Sequence, residues 1–389
     1  MLKALLTPGV YVLGKLRYSK KFMIIGGAFL IPLMIIGVLL LQEKTGIVEF
    51  TANQRAGLTE IKQVRSAIEL VQKHRGMSAA YLNGAENFAA PMKALQGRVQ
   101  QSLQQLNQLT LTGKGSEVSV AWAQLVRRLQ DLDQGQSFQQ HTDFLRDLFA
   151  VGDAIHEKSN LTLDSSADTH YLISLITTSY PQITEAMGQA RGIATGVAAR
   201  GAHQGDSRIA LANRQDRINQ YLDVIQYNLS HSITYQPELQ RELTQAREEI
   251  KRVVSRFIEL LHKEFREPET ISVSAGQINE AATEAIDEVY SEFDRLIPLV
   301  DDALAEREAA AAFVYKSTIG LLVSIRKPVI SSTTSDRILD SRVVVNLPLA
   351  AAGGISFWGH RFGHSADGRR PCHSFWRDIS LVQRLPVQV

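Results

Sequence analysis

Apolar residues return every three or four positions from about residue 43 to about residue 320. Leu58, Ile61, Val64, Ile68 and Val71 form one stripe, and Phe144, Leu148, Val151 and Ile155 a second. Ile218, Leu222, Ile225 and Leu229 form a third, and Ile250, Val254, Phe257 and Leu261 a fourth. That spacing is the signature of amphipathic helices. Alternating β-branched runs joined by hairpin turn pairs do not occur. Chain breakers divide the body at Asn83–Gly84, Gly113–Gly115, Gly135, the polar stretch Asn160–Asp168, Gly201 and Gly205, Tyr235–Pro237 and Arg266–Pro268. The pattern predicts an all-α fold of about eight helices. Connections this short imply antiparallel neighbours, hence an elongated up-and-down bundle, plausible as two stacked four-helix bundles. The last helix is expected from about residue 271, running back toward the start of the chain.

One segment breaks the amphipathic rule. Phe22–Leu41 holds twenty residues without a charge, enough helix to cross a bilayer core of about 30 Å. It is longer than the apolar part of a cleaved signal peptide, and Gln42, Glu43 and Lys44 follow it in place of a small-residue cleavage site. It reads as an uncleaved transmembrane helix. Lys3, Lys15, Arg17, Lys20 and Lys21 all precede it, which places residues 1–21 in the cytoplasm by the positive-inside rule. The body, 42–312, then faces the periplasm of a bacterial inner membrane. The chain's single cysteine, Cys372, excludes an internal disulfide. A net charge of +2 argues against a nucleic-acid partner.

Phe313–Ile325 begins like a second span but meets Arg326–Pro328 well short of the required length. From 326 to 389 glutamate disappears and helical periodicity is lost. The expectation is an aborted span followed by a tail in a non-native frame or after a truncation. Val343–Trp358 is apolar but interrupted by Asn346, Pro348 and Gly353–Gly354, a poor span. His360, His364, Cys372 and His373 resemble a metal set only by composition. Their glycine-rich surroundings are not helical and their neighbourhood is basic, so neither a metal nor another cofactor is expected.

Two segments look alike. Gln72–Gly84 reads QKHRGMSAAYLNG and Gln189–Gly201 reads QARGIATGVAARG. Both carry Arg-Gly, then a large apolar residue, then small residues, late in a helix. If the two halves are related, Arg75 and Arg191 face each other beside glycines that permit close approach. Two guanidinium forks with little acid nearby would bind a flat oxyanion. The plainer alternative is a pair of solvated or Glu-paired arginines. Met77 and Tyr81 read as core residues, and His74 as a surface imidazole. The carboxylates Asp164 and Asp168 read as caps of the next helix.

QKHRGMSAAYL is similar to the Q-x-E-R-G-x-S-A-x-x-L helix of nitrate- and nitrite-sensing domains, and GQARGIA to their second-half G-x-E-R-G/A helix. Ser159–Leu172 and Ile176–Gly192 resemble the helical periplasmic domains of methyl-accepting chemotaxis proteins. His74 and Ala190 stand where the sensing pattern has Glu. The resemblance implies a membrane-anchored receptor that senses a small anion, dimerises, and reaches cytoplasmic chemotaxis proteins only through an output module. It carries over Arg75 and Arg191 as ligand-binding residues. A sensor once fused to a histidine kinase or a diguanylate cyclase, and a helical spacer that binds nothing, remain alternatives. Phosphate-binding loop, serine elbow and HExxH signatures are missing, so an enzyme is not expected.

Overall fold

The computed structural model describes residues 11, 14–82, 84–203, 205–266 and 271–326. The chain divides into two units, Met1–Ser331 and Ser332–Val389. The tail readings, including Val343–Trp358, the His360–His373 set and the frame change, lie outside the described residues.

Among the described residues of the first unit the main helices are eight: α1 Tyr18–Leu82, α2 Ala89–Leu106, α3 Gly115–Arg128, α4 Gln134–Lys158, α5 from Ala167 to Arg200, α6 Ser207–Tyr235, α7 Gln240–Leu261 and α8 Ala275–Arg326. No strand occurs among the described residues. The fold is all-α, as the apolar spacing requires. Every residue of the four stripes is buried in one continuous core.

The helix ends follow local chemistry. Asp133 opens α4 with a capping box: its carboxylate accepts from the Gln136 N–H, and the Gln136 side chain accepts from the Asp133 N–H. Gly201 closes α5 at φ 72°, a left-handed conformation that costs glycine nothing. Within α5 a π-helical turn, Leu175–Ser179, separates Ala167–Ser174 from Tyr180–Arg200. Pro181 explains it. Proline has no N–H for the ladder and its ring crowds the carbonyl four residues back, so the wider turn relieves both.

Two four-helix rings result. Helices α1 to α4 close one, each packing on the next and α4 on α1. Helices α5 to α8 close the other in the same way. The rings share a long seam, because α1 also packs along α8 and against α5. Ion pairs set the antiparallel register of α1 and α8: Arg55 to Asp301 and Glu308, Arg65 to Asp294, Lys73 to Asp287.

The start of α1 behaves differently. Phe22, Met23, Phe29, Ile31, Ile36 and Leu39 are exposed. It is the one described helix long and apolar enough to cross a membrane, and almost none of its most apolar window is buried. Helix α8 continues past Phe313 without a break, and Leu322 packs on Gly37. The exposed Phe313, Leu321 and Val323 extend the apolar belt onto this second helix.

Candidate functional site

The seam between the rings brings the two look-alike segments to one level. The Arg75 guanidinium lies over Gly188, so closely that a Cβ there would stand 2.9 Å from Nη2. The Arg191 guanidinium lies over Gly76, where a Cβ would stand 3.6 Å from Nη2. Each arginine thus occupies the space that the other segment's missing side chain leaves. A further glycine, Gly192, receives Phe138 from α4, with a Cβ position only 2.6 Å from Cε2. The glycines let α1, α4 and α5 approach where larger residues would hold them apart.

Arg75 is 2 % exposed. Its Nη1 donates to Glu185 Oε1 at 2.7 Å and to Thr142 Oγ1 at 3.0 Å, and its Nη2 donates to Glu185 Oε2 at 3.1 Å. The Phe138 ring lies beneath it, 4.9 Å from Cζ, a cation–π contact. Glu185 is saturated as well. Gln189 Nε2 donates to Oε1 at 2.6 Å and Gln72 Nε2 to Oε2 at 2.9 Å. Two donors per oxygen account for the four lone-pair positions of a carboxylate. Gln72 in turn accepts from the Tyr290 hydroxyl at 2.9 Å, which ties α8 into the network.

This corrects the expectation of a guanidinium pair with little acid nearby. For Arg75 an acid is present, and it fills the fork. A buried guanidinium without a partner would carry the full cost of desolvation, and Glu185 removes that cost.

Arg191 is different. Its Nη1 donates to Thr283 Oγ1 at 2.9 Å, and among the described residues no carboxylate lies within 4.0 Å of it. Burial, and secondly the charge of Arg75, push its pKa down to about 10, against the weaker pull of Asp287, Tyr290 and Glu185. A third arginine, absent from the sequence-based candidates, joins them. Hydrogen bonds from Asn228 to Ser174 and from Tyr221 to Gln182 set the antiparallel register of α6 on α5. That register carries Arg214 to the level of Gln189. Arg214 Nε is buried with no hydrogen-bond partner, and its pKa is lowered, chiefly by burial. Arg75, Arg191 and Arg214 thus come to one layer, with Glu185 the carboxylate that binds Arg75.

His74 is a second correction. It is fully buried, not a surface imidazole, because it faces the interior of the first ring, against His141 of α4 and Trp122 of α3. Its Nδ1 lies 2.7 Å from His141 Nε2. His141 Nδ1 lies 2.7 Å from the Ser137 carbonyl, which only accepts, so that nitrogen carries the proton. His141 Nε2 is then the acceptor and His74 Nδ1 the donor, leaving His74 Nε2 bare and without a partner. Burial pushes the His74 pKa down to about 3, helped by His141, and that of His141 to about 4, against the pull of the Ser137 carbonyl. The Trp122 ring stands edge-on to His74, with centroids 5.0 Å apart. Met77 and Tyr81 are half-buried. The cap position of the next helix is Ser166, and Asp164 and Asp168 serve chiefly as partners of other helices. Both bind Arg307 of α8, and Asp164 also accepts from Gln54 of α1.

Among the described residues no group of three His, Cys, Asp or Glu side chains is placed to hold a metal. The arrangement offers a small anion fixed guanidinium groups with hydroxyl and amide donors at the junction of two helical rings.

Comparison with known families gives one match, nitrate and nitrite sensing, over residues 66–297, more than half of the chain. No curated protein and no solved structure matches. The matched segment contains Arg75, Glu185, Arg191 and Arg214 and the seam that joins them. The chain belongs to the nitrate and nitrite sensing family, a family of receptor sensor domains.

Proposed function

We propose that this chain is the sensing part of a membrane-anchored, chemoreceptor-type receptor that binds nitrate or nitrite at Arg75 and Arg191. The observation that carries the reading is the reciprocal seating of the two arginines, each over a glycine of the other's segment, with Arg191 free of any carboxylate within 4.0 Å among the described residues. A planar oxyanion matches the guanidinium fork, and Thr283 and the glutamine amides offer further donors. Anchoring is supported by the exposed apolar belt of α1 and the five basic residues that precede it. The helical rings then stand in the periplasm, as a homodimer, and a ligand that shifts α1 against α8 acts on the helices that lead to the bilayer. Packed helix interfaces have discrete arrangements, which suits transmission of a small displacement. Signalling to cytoplasmic chemotaxis proteins would require an output module.

The test is thermal unfolding of the full chain in detergent with nitrate, nitrite, chloride or sulfate. An anion that binds only the folded state at a hundredfold excess over its Kd stabilises it by about 2.7 kcal/mol. Nitrate or nitrite is expected to raise Tm in wild type and to lose most of that effect in Arg191→Gln. An unchanged Tm at saturating anion would leave a helical spacer as the better description.

A further inference from the structure

Resting on that reading, we infer that Glu185 is the site's internal competitor for the ligand, and that Arg214 is the cation to which it transfers when the ligand takes the Arg75 fork.

The geometry leads there in three steps. Arg75 cannot take an added anion as it stands. Glu185 holds Nη1 and Nη2, Thr142 holds Nη1 as well, Phe138 covers one face, and Gly188 approaches Nη2 from α5. A carboxylate and a trigonal oxyanion present the same two-oxygen edge to a guanidinium fork. An anion that engages Arg75 therefore does so in place of Glu185.

A displaced Glu185 needs another partner, since an unpaired buried carboxylate is strongly unfavourable. Helix α6 provides one. Arg214 stands level with Gln189, whose amide already binds Glu185 Oε1 at 2.6 Å. Its Nε is buried without a partner, and among the described residues no carboxylate lies within 4.0 Å of it. Arg214 thus holds an unused donor for a nearby acid.

The exchange converts binding into a change of contact. In the starting arrangement Glu185 ties α5 to α1, one ring to the other. After the transfer it ties α5 to α6, within one ring. The link across the seam then runs through the ligand, between Arg75 and Arg191. No covalent bond is made or broken: one anion enters, and each of the three arginines then has an anion beside it.

Nitrate titration of the full chain by calorimetry, in wild type, Glu185→Gln, Arg214→Gln and the double variant, tests this. Glu185→Gln keeps shape but removes the competing charge, and nitrate is expected to bind at least tenfold tighter. Arg214→Gln strands the displaced carboxylate, and binding is expected to weaken about tenfold. In the Glu185→Gln background the Arg214→Gln effect is expected to collapse, because no carboxylate needs rescue. Unchanged or weaker binding in Glu185→Gln overturns the competition, and additive effects in the double variant overturn the transfer. Arg214 is only half-buried, so its variant remains informative if Glu185→Gln misfolds: unaltered affinity in Arg214→Gln alone overturns the transfer. Wild type that binds nitrate and loses it in Arg191→Gln, with no gain in Glu185→Gln, rejects this inference and keeps the site. No binding in wild type or in Glu185→Gln rejects both.

Discussion

Gly188→Ala sets two opposing effects against each other, and the structure decides between them. Alanine in a helix interior is favoured over glycine by about 0.5–1 kcal/mol, because glycine has more backbone freedom to lose. At position 188 the added Cβ meets Arg75 Nη2 at 2.9 Å. That contact is some tenths of an ångström too short, and the guanidinium has nowhere to go. Glu185 holds it at 2.7 and 3.1 Å, Thr142 at 3.0 Å, and Phe138 lies beneath it. Overpacking a well-filled interior costs about 1–3 kcal/mol, so a clash near the middle of that range exceeds the helix gain and leaves a net loss of about 1 kcal/mol. Gly97 provides the control. It lies exposed in α2 with nothing within 4 Å of its Cβ position. Gly97→Ala keeps the helix gain alone and is expected to stabilise by about 0.5–1 kcal/mol. In a domain of this size about 1 kcal/mol moves Tm by about 2–4 °C. Thermal melts should place Gly188→Ala below wild type and Gly97→Ala above it. A Gly188→Ala melt at or above wild type would mean that the Arg75 fork is not held as described.

Three further outcomes follow from the same network. Arg75→Ala leaves Glu185 buried with only two amide donors, so a loss of about 3–5 kcal/mol is expected in urea unfolding, the range for breaking one side of a buried ion pair. His74 and His141 have folded pKa values of about 3 and 4, below the ordinary 6.5. The unfolded chain takes up protons first as pH falls, so stability drops from about pH 6.5 down toward pH 4, by up to about 1.4 kcal/mol per pH unit for each histidine. His141→Gln should flatten that slope in denaturation measured at successive pH values, and an unaltered slope would exclude the buried pair as its source. Gly57→Ala drives a Cβ to within 2.3 Å of the Ser159 side chain where the α4–α5 turn crosses α1, and should lower Tm by more than Gly188→Ala does.

The helices were legible because their information is local. A stripe such as Leu58, Ile61, Val64, Ile68 and Val71 needs only its own spacing to declare a buried face. The breakers at Gly113–Gly115, Gly201 and Tyr235–Pro237 fall at observed helix ends for the same reason. Likewise the Arg75 and Arg191 segments stood out by internal similarity. What was not legible depends on register between helices. His74 lies one position from Arg75 and looks solvated until α3 and α4 cover it with Trp122 and His141. Glu185 is one acid among many in an acidic body, and nothing in ITEAMG announces that it faces Arg75 from another ring. Arg214 lies in RQDRINQ, a polar stretch typical of a solvated face, and only the α5–α6 pairing turns it inward. The π turn did have a local signal in Pro181, which marks a disturbed ladder but not the form the disturbance takes.

A crystal structure of the full chain grown with nitrate bears most directly on the central claim, that two arginines from separate segments make one anion site at the seam between the rings. The account predicts planar density bridging the Arg75 and Arg191 guanidinium groups, with Glu185 turned away from Arg75 toward α6. Nitrate bound elsewhere, or a seam in which Glu185 still grips Arg75 and Arg191 still meets only Thr283, would contradict it.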